Sequence, residues 1–326
     1  MPLTSGLTSS LTRGLTQDLF KTPPSTTVTP LLDVDGMATA AAGYSVRKLR
    51  AAYTGKALKV RRASDSDEAD VAFDTVGQVS SSSVITVTSG DYSGTMTLGD
   101  FLSGTTGSVT TWYDQVGSNN ATQGVGTKQP QLKTDGSATV GDKAELYFDS
   151  ISGDFLSSNY QHDNTDDTRT QLVVTEINSS AHSTDIYGLL GNRYYSANGT
   201  ELYYRNGVYT WAIGDDGSTV SEITKAARIG QKDIVIVSYQ PSLSTNEQKI
   251  RVNQSLSQTN CTADVNTYGY GPLQIGRRWQ YASDSATERF FYGNVHEVVL
   301  WATALSDTDA AAAETNTMSE FSIASL

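Results

Sequence analysis

A chain of 326 residues has room for one large domain or two small ones, and its formal charge of −12 argues against a phosphate-binding surface. The basic residues that do cluster, at Arg47–Arg50 and Lys56–Arg62, read as a solvated strand face or a partner contact, so no nucleic acid is expected. Charged residues make up only 18 %, and tyrosine is the favoured aromatic, with 17 Tyr against 8 Phe and 4 Trp. That mixture suits short strands with polar turns, because β-branched and aromatic side chains fit a half-buried pleated surface.

The first element in chain order is a leucine at every fourth residue: Leu3, Leu7, Leu11, Leu15 and Leu19. This spacing draws a slowly drifting stripe on a helix, while Gly6, Gly14 and the threonines make such a helix marginal in isolation. The stripe is therefore expected to order against a partner, as a docking arm. Pro23, Pro24 and Pro30 mark an extended linker, so residues 1–35 form arm and linker. Residues 36–326 show no second boundary and are expected to form one domain.

Around Asp33–Ala52 the text MATAAAGYSVRKLRAAY reads as a short helix packed beside that domain. ALKVRRAS then alternates like a strand and is followed by an acidic turn at Asp65–Asp70. Strand-like runs recur with turn signals between them, among them SSVITVTS, GSVTTWYD, TQLVVTEI, KDIVIVSYQ and FFYGNVHEVVLW. In TELYYRNGVYTWAIG, Asn206-Gly207 between two aromatic runs is a type I′ hairpin signal. The many short strands indicate a sandwich rather than a βαβ sheet. SDTDAAAAETNTMSEF closes the chain as a helix capped at Ser306 or Asp307.

Six stretches carry a resemblance to known families. KDIVIVSYQ, KIRVNQS, PLQIGR and FYGNVHEVVLWATALSD, in that order, resemble the late strands of laminin-G and concanavalin A-like domains. YSVRKLRAAYTGKALKVRRASD followed by TWYDQVGSNNATQ resembles the catalytic sandwich of fungal arabinofuranosidase B, and more closely the related domains of phage structural proteins. The resemblance implies an all-β fold: a concanavalin A-like jelly-roll β-sandwich with an extended N-terminal arm and short flanking helices. Within TWYDQ, adjacent Trp112 and Tyr113 point to opposite faces of a strand, and Asp114 is placed to accept N–H groups of the following turn. These residues serve either as core anchor and turn clamp or, for one ring, as a sugar-stacking face.

Retaining glycosidases need two carboxylates roughly 5–5.5 Å apart. What the resemblance implies for the nucleophile falls on Glu201 in GTELYY. The acid/base aspartate belongs in a loop where this chain reads IGRRWQYASDSATE, so the matching spot falls on Arg277, Arg278 or Trp279. Asp284 serves only if that loop re-aligns, and the family's vicinal cysteine pair is excluded because Cys261 is the single cysteine. The same lack excludes an internal disulfide.

Other chemistry is weaker. His162, His182 and His296 show no metal-ligand spacing, and His296 and Glu297, as strand neighbours, are expected to face opposite ways. Asp163–Asp167 is oxygen-rich enough to hold Ca²⁺, although a solvated loop is the commoner meaning. The first 20 residues contain no continuous apolar stretch and no run of about 18 apolar residues exists, so neither a secretory signal nor a membrane span is expected. A surface-protein composition without export features, together with the resemblance, leads to a bacteriophage virion surface protein, of capsid-decoration or tail-fibre type. Its arm would dock on other virion proteins and its sandwich would bind host or environmental glycans through Trp211, Trp279, Tyr281 and Tyr204. Homo-oligomers are expected, since multivalency lets weak sites adhere. Two alternatives stand beside this reading: an arabinofuranosidase-like hydrolase, and a capsid cement protein without a ligand.

Overall fold

The computed structural model describes residues 28–133, 144–161, 168–178, 186–194, 199–214, 219–263, 271–280 and 290–326. The leucine arm, the Asp163–Asp167 loop, His162, His182, Tyr281 and Asp284 lie outside these residues. In chain order the strands are β1 Ala42–Ser45, β2 Leu58–Arg62, β3 Glu68–Val71, β4 Ile85–Ser89, β5 Gly107–Trp112, β6 Ala121–Thr122 and β7 Gln131–Lys133. They continue as β8 Glu145–Phe148, β9 Leu156–Ser158, β10 Arg169–Ile177, β11 Tyr187–Gly191, β12 Arg193–Tyr194, β13 Gly199–Arg205 and β14 Val208–Gly214. The last are β15 Val220–Ala226, β16 Lys232–Tyr239, β17 Gln248–Val252, β18 Ser255–Thr259, β19 Gln274–Ile275, β20 Trp279–Gln280 and β21 Gly293–Trp301. Among the described residues there are also two α-helices, α1 Leu98–Phe101 and α2 Asp307–Phe321, and two 3₁₀ turns, Leu31–Asp33 and Gly126–Lys128.

The pairings form an all-β sandwich. One layer runs β18–β17–β16–β10–β21, with β1 and β8 sharing the outer edge of β21. The other runs β15–β14–β13–β11–β19–β9–β6–β5–β2–β3–β4. Strand β7 pairs with both β5 and β8 and links the two layers at one side. At the other end, polar side chains cross the gap: Gln248 on β17 donates to the Trp211 carbonyl of β14 at 2.8 Å, and the Tyr209 hydroxyl donates to Asp233 on β16 at 3.1 Å. Between them lies a continuous apolar core that includes Tyr44, Trp112, Leu172, Tyr204, Trp211, Val237 and Val299. Each large side chain taken fully from water there stabilises the fold by about 2–3 kcal/mol.

Asn206 at φ 54° and Gly207 at φ 82° form the type I′ turn between β13 and β14, as the sequence indicates. Helix α2 begins at Ser306, whose hydroxyl accepts the Asp309 N–H. It lies over the outer face of the first layer, held by Arg251–Glu314 and Lys249–Asp307. That cover explains why β10 and β21 are buried along almost their whole length on both faces.

The expected helix over Asp33–Ala52 is corrected. Leu31–Asp33 is a single 3₁₀ turn and Ala42–Ser45 is strand β1, every residue of it buried beside β21. Alanine's helix propensity is overridden by pairing and packing: Tyr44 sits 6.0 Å from the Trp112 ring, and its hydroxyl bonds to Ser158 and to the Asn119 carbonyl. Leu31 and Leu32 also belong to the core.

His296 and Glu297 are a second correction. A bulge in β21 sets both residues against Val174, which cancels strand alternation at that point. His296 stacks 5.5 Å from Phe321 of α2, and Glu297 binds Arg47, whose guanidinium also lies over Phe321. Both side chains therefore face the helix. The bulge falls where the edge of β21 passes from β8 to β1.

TWYDQ behaves as core anchor and turn clamp. Trp112 is fully buried, whereas Tyr113 on the opposite face is half-buried and donates to Asp70 at 2.6 Å. Asp114 accepts three backbone N–H groups, those of Gly43 and Val116 on Oδ1 and that of Asn119 on Oδ2. Gln115 accepts the Leu49 N–H and donates to the Ser45 and Arg47 carbonyls.

Candidate functional site on the outer face of the second layer

Strand alternation divides β13 into two faces. Thr200, Leu202 and Tyr204 alternate with Glu201 and Tyr203, and the register places Trp211 opposite Leu202 and Ala212 opposite Glu201. Leu202, Tyr204 and Trp211 belong to the core between the layers, while Tyr203 and Ala212 are buried outside that core. Glu201 and Tyr203 therefore mark the outer face of the sheet.

That face is covered by the segment following β19. In β11, Gly188 pairs with Tyr203 and Gly191 with Glu201, and a Cβ on either glycine would overlap the Arg278 backbone. Two glycines thus let Arg277 and Arg278 lie flat on the sheet. Their side chains diverge. Arg277 is buried, with its guanidinium 4.9 Å from the Phe155 ring and 5.4 Å from the Phe290 ring. Arg278 turns to the strands: its Nε donates to Glu201 Oε2 at 2.7 Å, and its guanidinium carbon stands 4.3 Å from the Tyr203 ring centroid.

The row continues to solvent. The Tyr203 hydroxyl donates to Glu222 Oε1 at 2.7 Å, and Glu222 lies exposed on β15 opposite Ala212. Burial, reinforced by the Glu222 carboxylate, raises the Tyr203 phenol far above its usual range, with Arg278 opposing, so this hydroxyl stays a donor. Glu201 and Tyr203 are each 1 % exposed and Arg278 20 %, so the row runs from a buried carboxylate and a buried ring through a partly open guanidinium to an open carboxylate.

The arrangement limits the chemistry. A retaining hydrolase needs a free carboxylate nucleophile and a protonated partner roughly 5–5.5 Å away. Here the carboxylate nearest the sheet centre is held by a guanidinium. Glu222 is two strands away, a backbone spacing of roughly 9.6 Å, and is engaged with Tyr203. The partly open Arg278 guanidinium and the open Glu222 carboxylate are instead groups that hydrogen-bond a polyol, with the buried Glu201 and Tyr203 holding them in place.

The expected binding residues are placed as follows. Trp211 and Tyr204 are fully buried between the layers, so neither offers a ring face to a sugar; this corrects their assignment. Trp279 follows Arg278 in β20, which pairs in parallel with β12, and thus stays near the site in the chain. Tyr203 and Glu222 are residues that sequence reasoning missed, and Arg278 enters it only as the departure at the acid/base position. The signal was available, since residues 201 and 203 share a face where 201 and 204 cannot. Among the described residues no group of three potential metal ligands occurs, and no helix is long and apolar enough to cross a membrane.

Comparison with known proteins gives a fold and no family. No family model matches the sequence, and no curated protein matches it. Among solved structures, an arabinofuranosidase complexed with arabinofuranosyl-α-1,2-xylobiose superposes with a TM-score of 0.59 at 14 % identity, over 89 % of this chain and 64 % of that one. A family-54 α-L-arabinofuranosidase soaked with a cyclic sulfate inhibitor gives 0.57 at 14 %, over 86 % of this chain and 63 % of that one. The chain thus spans less than two thirds of the length of either enzyme, and at this identity the likeness establishes the sandwich alone.

Proposed function

We propose that this sandwich binds glycans on the outer face around Glu201, Tyr203, Glu222 and Arg278 and does not cut them. The observation that carries this reading is the 2.7 Å pair between Arg278 and Glu201. It puts a cation that cannot act as a general acid beside the carboxylate that the arabinofuranosidase resemblance casts as nucleophile. Supporting it, the row of polar groups opens to solvent at Glu222, and an arabinofuranosidase with a similar fold has been crystallised with arabinofuranosyl-α-1,2-xylobiose. The ligand class is therefore a neutral, arabinofuranose-bearing or similar plant-type glycan. The wider setting of the proposal is display on a bacteriophage particle, with residues 1–35 as the attachment arm. Its supports are the leucine stripe and the resemblance to phage structural proteins.

The test is binding and turnover in one sample. Arabinofuranosyl xylo-oligosaccharides should bind saturably and be recovered intact, and Glu222→Ala, at an exposed position, should weaken binding without unfolding the chain. Absence of binding to any glycan would leave the cement-protein alternative.

A second reading, hydrolysis with Glu201 as nucleophile, is favoured by the position of Glu201 on a middle strand of the shared fold. It requires Arg278 to release Glu201 and an acid such as Asp284 to replace it. Release of arabinose from an aryl arabinofuranoside, lost in Glu201→Gln, would establish this reading over the first.

A further inference from the structure

The segment that carries Arg278 is braced by the loop 149–155 between β8 and β9. Strand β9 pairs with β19, Leu156 opposite Ile275, so Gly276 and Arg277 leave the sheet beside Phe155 and Asp154. The approach is close. Gly276 sits at φ 84°, and a Cβ there would come 2.3 Å from the Phe148 ring and 3.1 Å from the Asp154 carbonyl oxygen. The Arg277 guanidinium carbon lies 4.9 Å from the Phe155 ring centroid and 5.4 Å from that of Phe290, two rings whose centroids are 6.1 Å apart. Gly153 packs against Phe290 in turn, where a Cβ would be 3.4 Å from the ring. One peptide bond beyond this clamp, Arg278 reaches Glu201.

The same loop buries a carboxyl group that the glycan face does not use. Asp154 is 5 % exposed, and its Oδ2 accepts the Asp149 N–H at 3.0 Å. The Asp149 carbonyl closes the loop by accepting the Gly153 and Asp154 N–H groups. The charged and titratable groups around Asp154 are Asp149 in the loop, Lys133 on β7, Tyr147 on β8 and Arg277 on the braced segment. Burial raises the Asp154 carboxyl to about 7; the Asp149 N–H and the Lys133 ammonium oppose the rise, and the Asp149 charge adds to it.

We infer that Arg277 is the positioning residue for Arg278 on the glycan face, and that the loop clamping it loosens this hold in alkaline solution. With the Asp154 carboxyl protonated, the loop stays packed and Arg277 keeps the Arg278 backbone against Gly188 and Gly191. Once ionised, the buried carboxylate is stabilised by water, which draws the loop outward and takes Phe155 off the guanidinium. The packed form is the protonated one, so the hold is full below about pH 7 and is lost as pH rises above it. The consequence for sugar affinity rests on the proposed glycan reading, whereas the clamp itself does not.

Hydrogen exchange and calorimetry on the full chain test the two separately. The Gly276 N–H, bonded to the Leu189 carbonyl at 2.8 Å, reports the segment without any ligand. Its protection factor, corrected for the intrinsic pH dependence of exchange, should be equal in wild type and Asp154→Asn at about pH 5.5. At about pH 8.5 it should be about threefold or more lower in wild type. Arg277→Lys keeps the charge but not the planar stack, so it should lower protection at both pH values and abolish the step between them. Phe155→Leu should act likewise and Phe155→Tyr should retain the wild-type profile, with circular dichroism confirming that each variant is folded. Affinity for an arabinofuranosyl xylo-oligosaccharide should follow the same pattern, falling about threefold or more in wild type and staying level in Asp154→Asn. A Gly276 profile that is the same in wild type and Asp154→Asn overturns the coupling, and a wild-type profile in both Arg277→Lys and Phe155→Leu overturns the positioning role. The expected exchange pattern without saturable sugar binding supports the clamp and sinks the glycan reading alone.

Discussion

Arg278 Nε donates to Glu201 Oε2 at 2.7 Å across a sheet face on which a glycosidase would need a second carboxylate. The pair is asymmetric: the carboxylate is 1 % exposed and the guanidinium 20 %. Removing the cation alone strands a buried charge, whereas removing both charges does not. We expect Arg278→Ala to lower stability by about 3 kcal/mol, and Glu201→Gln combined with Arg278→Ala to recover most of it. Urea unfolding of the three proteins measures this. Equal losses in the single and double variants would mean that the pair is not coupled.

Gly191 is the position where the sheet makes room for the Arg278 backbone. Gly191→Ala should lift the Arg277–Arg278 segment, break the ion pair and abolish glycan binding, while the core between the layers persists. Binding titration together with near-ultraviolet circular dichroism separates the two effects. Gly188→Ala should do the same, because its Cβ would also meet Arg278.

Asp114 collects three backbone N–H groups from two segments that are 71 residues apart in the case of Gly43. Asp114→Ala leaves all three without their acceptor, and each buried unsatisfied donor costs about 1–3 kcal/mol. A total loss of on the order of 3–5 kcal/mol is expected, allowing for water at the part-buried positions. Asp114→Asn should lose less. Thermal unfolding checks the order.

Asp154 supplies the pH dependence. Burial raises its carboxyl to about 7, opposed by the Asp149 N–H that bonds to it. A raised acid holds its proton in the folded state where the unfolded chain has released it, so its contribution is full below about pH 4 and is lost as pH rises through 7. Asp154→Asn keeps an acceptor for the Asp149 N–H without the charge. It should match wild type below pH 4 and exceed it above pH 7 by on the order of 3 kcal/mol. Parallel stability curves would contradict the assignment.

The fold was legible from local signals that packing reinforces: the Asn206-Gly207 turn, the Ser306 cap and the alternation of the late strands. The segment at Ala42–Ser45 was not, because alanine favours a helix and only the partner strand β21, 252 to 258 residues away, makes it a strand. The bulge at His296 was equally hidden, since it arises where two different strands share one edge. At the site, the resemblance points to Glu201, whereas Trp211 and Tyr204 have the right ring type on the wrong face of their strands. Period-two counting places Tyr203 on the face of Glu201, where Arg278 then buries it. Arg278 could be seen only as a departure from the expected aspartate; that it reaches Glu201 depends on Gly188 and Gly191, 87 to 90 residues earlier.

The central claim is a sugar held without being cut. Titration calorimetry of the full chain with an arabinofuranosyl xylo-oligosaccharide, followed by chromatographic recovery of the ligand, tests it most directly. Saturable heat with the oligosaccharide recovered whole, and much weaker binding with Glu222→Ala, is the result expected. Free arabinose in the recovered sample, or no saturable heat with wild type, would contradict it.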